Sequence, residues 1–129
     1  MNEPSDFENR LSKAVIGAAI EVHRELGPGY IESNYEAALA HEFELRNIPF
    51  QRQLCFGVQY KSIQVGDGRL DFLVGEVLVV ELKAVEKVLP IHKAQVISYL
   101  KAQKLGLGLL LNFNVQIMRD GIQRIILSD

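Results

Sequence analysis

The stretch Gly68-Arg69-Leu70-Asp71-Phe72-Leu73-Val74-Gly75-Glu76-Val77-Leu78-Val79-Val80-Glu81-Leu82-Lys83 decides the reading of this chain. It predicts two strands, Arg69 to Val74 and Val77 to Ala84, around a turn at Gly75-Glu76. Side chains alternate along a strand, so Glu81 and Lys83 project from one face while Val80 and Leu82 project from the other. A charged pair inside an otherwise apolar strand is costly unless it is partnered or reaches solvent. The position of Asp71 depends on the loop. A two-residue loop sets it opposite Val80. A three-residue loop, or one bulge, sets it opposite Glu81 and gathers Asp71, Glu81 and Lys83 on one face. The second register is the expectation, and bulges are frequent beside active sites.

Outward from this hairpin the period changes. Upstream, Phe50 to Tyr60 reads as one or two strands, Ser62 to Val65 as a short strand and Gly66-Asp67-Gly68 as a turn. Before these, Phe7, Leu11, Val15, Ala18, Val22 and Leu26 recur at helical spacing and predict a helix over residues 6–26. Ser5 and Glu8 form a capping-box pattern at its start, and Gly27-Pro28-Gly29 ends it. A second helix is expected from Ser33 to Arg46, with Tyr35, Leu39 and Phe43 as its buried stripe alongside Ala38 and Leu45. Ser33 to Glu36 offers a second capping box, and Asn47 closes the helix ahead of Pro49. Downstream, Pro90 opens a third helix to about Lys104, Leu107 to Phe113 reads as a buried strand, and Met118 to Leu127 as a last strand or small hairpin. The order αα, β, α, β predicts an α+β (α/β) domain with a mixed central β-sheet flanked by helices.

Composition narrows the classes. A chain of 129 residues argues for one domain, 1–129, and 48% hydrophobic with 23% charged residues is ordinary globular usage. The single cysteine, Cys55, excludes a disulfide framework and a cysteine-based zinc site, and is expected as a small core residue. No apolar run approaches a membrane span, and the acidic N-terminus does not resemble a secretory signal, so a reduced, cytoplasmic setting is the expectation. The net charge of −2 argues against a strongly basic nucleic-acid binder, while leaving room for an acidic metal site offset by a local basic face. Lys83, Lys87, Lys93, Lys101 and Lys104, with Arg52 and Arg69, supply either such a rim or an ordinary solvated face. His23, His41 and His92 have no metal-binding spacing and read as helix-surface residues.

Two adjacent carboxylates repel unless a positive charge lies between them. Mg²⁺ suits the Asp71 and Glu81 oxygens, with Mn²⁺ as a substitute, and the Leu82 backbone carbonyl could add a ligand. Lys83 would then face a scissile phosphate or a nucleophilic water. This is equipment for metal-assisted phosphodiester hydrolysis.

At Asp71…Glu81-Leu82-Lys83 the chain resembles the PD-(D/E)xK nuclease superfamily, with Leu70 in place of the proline before the aspartate. Gln95-Val96-Ile97-Ser98-Tyr99 resembles the Gln-x-x-x-Tyr motif of RecB-type members, and its two polar residues share a helix face. Gly29-Tyr30-Ile31-Glu32-Ser33-Asn34-Tyr35 is similar to the signature of the small GxxExxY proteins, as are the segments at His92-Lys93-Ala94-Gln95 and Leu111-Asn112-Phe113. The resemblance covers nearly the whole chain. It implies a restriction-endonuclease-like core and a nucleic-acid partner, DNA before RNA, with no membrane; a homodimer is compatible with the small size. It implies a site of Glu36, Asp71, Glu81, Lys83, Gln95 and Tyr99. Of these, Asp71 and Glu81, with Glu36 as a further acid, would bind metal. Glu32, one helical turn before Glu36, is the alternative acid. The rival readings are a cross-strand salt-bridge network for Asp71, Glu81 and Lys83, a capping role for Glu36, and an amphipathic face for Gln95 and Tyr99. At the level of function, the rival is a non-cleaving nucleic-acid-binding or regulatory module.

Overall fold

A computed structural model describes residues 3–127. The elements run α1 (Asp6–Leu26), α2 (Glu32–Leu45), β1 (Phe50–Tyr60), β2 (Ile63–Val74), β3 (Leu78–Lys83), α3 (Pro90–Gln103), β4 (Leu107–Asn112), a short 3₁₀ turn (Met118–Gly121) and β5 (Ile122–Ile126). The strands form one sheet in the order β1-β2-β3-β4-β5, and only β3 and β4 are parallel, joined through α3. A parallel pair needs such a crossover. The α+β expectation with a mixed, helix-flanked sheet is borne out.

Helix α1 starts as its sequence dictates: Ser5 Oγ accepts from the Glu8 amide at 3.1 Å and Glu8 accepts from the Ser5 amide at 2.7 Å. Helix α2 departs from expectation. It begins at Glu32 behind Ile31, which makes no side-chain cap, so the Ser33–Glu36 capping box does not form. Asn47 takes the left-handed conformation that closes α2 (φ 56°), and the Ile48 amide returns to the Phe43 carbonyl at 2.9 Å.

The sheet separates two cores. On one face Phe72, Val80, Leu82, Leu109 and Leu111 pack beneath α1 and α2 with Val15, Leu39 and Phe43. On the other, Leu73, Val79 and Leu110 pack beneath α3 with Val96 and Leu100. Strand β4 is buried on both faces, which explains its unbroken apolar run. A Cβ on Gly108 would press into Val96, so glycine lets α3 sit close on the sheet.

Several local expectations are corrected. Residues 66–68 are not a turn. Strand β2 is continuous, and the chain reverses at Lys61-Ser62, both left-handed (φ 48° and 72°), a geometry that suits strand twist. Gly68 is instead a packing glycine, because the Phe56 ring opposite occupies the space a Cβ would need. The segment after Met118 is a 3₁₀ turn leading into β5, not a hairpin. Cys55 is exposed, on the solvent side of an edge strand. Phe7 and Leu45, expected in the helix stripes, are exposed at 49% and 64%. His23 is buried, its Nε2 2.7 Å from the Val115 carbonyl. Tyr35 is core as expected: its ring stacks on Phe113 at 4.7 Å and its hydroxyl donates to the Gly27 carbonyl at 2.6 Å.

Candidate active site

The loop between β2 and β3 is Gly75-Glu76-Val77, and the pairing Phe72 to Val80 and Leu73 to Val79 is the register that brings Asp71 across from Glu81. At that point the backbone ladder gives way to side chains. The Asp71 amide donates to Glu81 Oε2 at 2.6 Å, and the Leu82 amide donates to Asp71 Oδ2 at 2.9 Å. The Leu82 carbonyl, on the same strand edge as its amide, therefore turns toward Asp71, whereas the Lys83 carbonyl turns to β4 and accepts from Phe113 at 2.9 Å.

A crease in the sheet explains why the strands open here. Phe50, Phe72 and Val74 pack beneath α1 and α2, yet Leu54, Phe56 and Leu70, of the same parity, pack beneath α3. Regular strands keep even positions on one face. The switch falls at Gln53 and Asp71, where the pairing of β1 with β2 skips one step and Gln53 is left-handed (φ 55°). Asp71 is thus aimed by a local irregularity, as active-site side chains often are.

Burial dominates the electrostatics. Glu81 is only 4% exposed, and burial, followed by the Asp71 charge, pushes its carboxyl up to about 8. Burial also raises Asp71, against the opposing hydrogen bond from Leu82. Lys83 favours the charged form of both acids. Its side chain lies with Ile91, His92, Gln95, Ser98 and Tyr99 around a cleft of about 380 Å³. Burial first, then the charges of Glu81 and Asp71, raises the Tyr99 hydroxyl, with neighbouring Gln95 opposing. The strand acids and the helix pair therefore share one electrostatic neighbourhood.

The two helix acids are placed differently. Glu36 accepts from Arg52 Nε at 2.8 Å and from Gln53 Nε2 at 2.6 Å, and that same Gln53 nitrogen lies 3.3 Å from Asp71 Oδ1. Glu32 is exposed as a residue. Even so, the surrounding protein partly desolvates its carboxyl and raises it, with Asp71 as the next cause and Lys83 opposing. Both acids thus face the Asp71 side of the sheet, Glu36 already paired.

Two further residues had no signal that singled them out. Gln53 bridges Glu36 to Asp71, a contact that exists only because of the crease. Asn112, paired with Lys83 in the parallel register, is buried and grips Val85. Its Oδ1 accepts from the Val85 amide at 3.1 Å and its Nδ2 donates to the Val85 carbonyl at 2.9 Å. It fixes the chain as it leaves the Glu81-Leu82-Lys83 strand. The sequence held two hints, a polar side chain ending an apolar strand and the family resemblance of Leu111-Asn112-Phe113, but neither gave Asn112 a role.

A family model described as the PD-(D/E)XK nuclease superfamily matches residues 9–125. The chain belongs to the PD-(D/E)XK nuclease superfamily. No curated protein and no solved structure matches it. The mixed five-stranded sheet with helices on both faces is consistent with the restriction-endonuclease-like core of that superfamily. Members of the PD-(D/E)XK superfamily typically use divalent metals. Among the described residues no three His, Cys, Asp or Glu side chains form a ready-made cage. The donor chemistry of this PD-(D/E)XK site nonetheless fits a hard cation. A buried and a half-buried carboxylate, Glu81 and Asp71, stand together, a third carboxyl adds to their charge, and Lys83 is the cation acting on all three. Mg²⁺ characteristically needs only one or two carboxylates from the protein. Among the described residues no helix is long and apolar enough to cross a membrane.

Proposed function

We propose that residues 1–129 form a Mg²⁺-dependent nuclease domain of the GxxExxY type that hydrolyses phosphodiester bonds in nucleic acid, with DNA as the first substrate to test. The observation that carries this reading is the reciprocal clamp of half-buried Asp71 and buried Glu81 beside Lys83. Asp71 and Glu81 hold the ion, aided by the Leu82 carbonyl, and Mn²⁺ can take its place. When bound, the ion supplies Lewis-acid polarisation of a phosphoryl oxygen and makes water a stronger nucleophile. Lys83 directs its ammonium to the scissile phosphate and stabilises the charge that develops there. Gln95 and Tyr99 border the same cleft and hydrogen-bond the substrate backbone. Glu36, held by Arg52, steadies Gln53 and through it Asp71. Glu32, which has no such partner among the described residues, supplies the further acid toward the ion.

A second reading, a non-cleaving nucleic-acid-binding or regulatory module, is favoured by one observation: backbone amides already occupy one oxygen of each strand carboxylate. Cleavage assays on single-stranded DNA, duplex DNA and RNA, with Mg²⁺, Mn²⁺ or EDTA, separate the two. Metal-dependent cleavage that disappears in Glu81→Ala and Lys83→Ala while both variants stay folded supports the nuclease. Cleavage that is unchanged in both variants, or absent on every substrate, refutes it.

A further inference from the structure

Behind Tyr99 lies a second recess, a groove of about 600 Å³ between α3 and the β1–β2 hairpin. It shares Ser98 and Tyr99 with the Lys83 cleft, so the two are continuous across one turn of α3. The groove combines two chemistries. Phe56, Val58 and Tyr99 line it, the two rings meeting edge to face with centroids 5.3 Å apart. Lys101 and Lys104, both exposed, stand along its α3 side.

We infer that this groove holds a nucleotide of a single-stranded nucleic acid whose neighbouring phosphate lies at Lys83. This rests on the nuclease reading of that cleft and names the form of substrate it takes. Apolar and aromatic walls accept the face of an unpaired base, and a base stacked within a duplex cannot present that face. Lys101 and Lys104 match the phosphates that follow the base, and the shared wall of Ser98 and Tyr99 carries the strand from one recess to the next. The volume is that of a small-molecule site, about 300–1,000 Å³, which suits a nucleotide unit.

The test is binding in EDTA, where neither cleavage nor metal contributes. The probes are fluorescent single strands of DNA and RNA about 10 nucleotides long, within the usual range of single-strand binders. A blunt duplex of the same length and the free nucleoside monophosphates serve as comparisons. The intact chain should bind the single strands more tightly than the duplex or the monophosphates. Lys101→Glu with Lys104→Glu should weaken binding on the order of tenfold and reduce the salt slope by about 0.7 for each phosphate no longer neutralised. Ala102→Trp, an exposed position on the groove wall, should weaken it by filling the space, which keeps the inference testable if the charge variant fails to fold. Equal affinity for duplex and single strand, unchanged affinity in either folded variant, or no strand binding at all overturns the inference. Monophosphates that compete as well as the strand overturn it too, in favour of a free-nucleotide pocket. A melting-temperature rise with Mn²⁺ is read separately. Its absence in the intact chain, with strand binding preserved, defeats the metal-dependent reading and leaves the groove standing.

Discussion

Asp71 and Glu81 close the gap between their strands with their own side chains: the Asp71 amide reaches Glu81 Oε2 at 2.6 Å, and Asp71 Oδ2 receives the Leu82 amide at 2.9 Å. The two carboxylates therefore replace rungs of the backbone ladder. The same bonds that aim them also hold like charges together in a buried place, and the site's responses to pH, to cations and to substitution all follow from that conflict.

The first response is to pH. Burial raises Glu81 from its ordinary 4.5 to about 8, and Asp71 and Glu32 move in the same direction. A raised carboxyl means the folded chain holds more protons than the unfolded one, so stability falls as pH rises. The contribution is fully present below about 4.5 and is lost as pH passes through about 8. Each pH unit in that window carries at most about 1.4 kcal/mol for one group. Calorimetric melting in EDTA should show Tm falling from acid to mildly alkaline pH, and Glu81→Gln, which keeps an acceptor for the Asp71 amide, should flatten the fall. Parallel profiles for the two proteins would contradict the assignment.

The second response is to divalent cations. An ion that binds only the folded state at a hundred times its dissociation constant adds about 2.7 kcal/mol. Because Glu81, pushed up to about 8, is protonated at pH 5, Mn²⁺ or Mg²⁺ should raise Tm at pH 8 far more than at pH 5. Asp71→Asn should abolish the rise, which differential scanning fluorimetry would detect.

The helix acids should separate by phenotype. Glu36 is tied to Arg52 and Gln53, so Glu36→Gln and Arg52→Ala should resemble each other, each lowering cleavage or metal affinity roughly 10- to 100-fold, as loss of an orienting partner does. Glu32→Gln should lower metal affinity while leaving stability within about 0.5 kcal/mol, because its side chain is exposed. Isothermal titration with Mn²⁺ on the three variants distinguishes them. If Arg52→Ala matched Glu32→Gln instead, the roles of the two acids would have to be exchanged.

The Asn112 clamp is expected to act on geometry. Asn112→Ala leaves the Val85 amide and carbonyl without partners and should cost about 1–3 kcal/mol. Asn112→Asp keeps the acceptor but sets a second buried oxygen against the Val85 carbonyl, so its Tm should fall at least as far. In both, kcat for cleavage should drop more than KM rises, since the Lys83 strand end is loosened while the groove behind Tyr99 is untouched. Steady-state kinetics on folded variants checks the split.

What could be read along the chain was whatever depends on near neighbours. Apolar spacing of three and four residues set α1 and α2, and Pro90 marked the start of α3, because helical bonds, faces and first turns are local. Alternation put Glu81 and Lys83 on one face and left two registers for β2 on β3, of which the expected one, with Asp71 across from Glu81, is the one formed. The fold class and the Asp71, Glu81-Leu82-Lys83 constellation were legible for that reason. The rest was decided by distant segments. Glycines at 66 and 68 look like a turn until Phe56, across the hairpin, is seen to need the space. Cys55 and Phe7 lie outside, and His23 inside, because burial depends on which element arrives to cover a position. Gln53 joins Glu36 to Asp71 only through a left-handed residue that no periodicity announces. Local pattern determined which residues share a strand or a helix face. Packing of segments far apart in the chain determined which charges are buried together, and hence which groups the site can use.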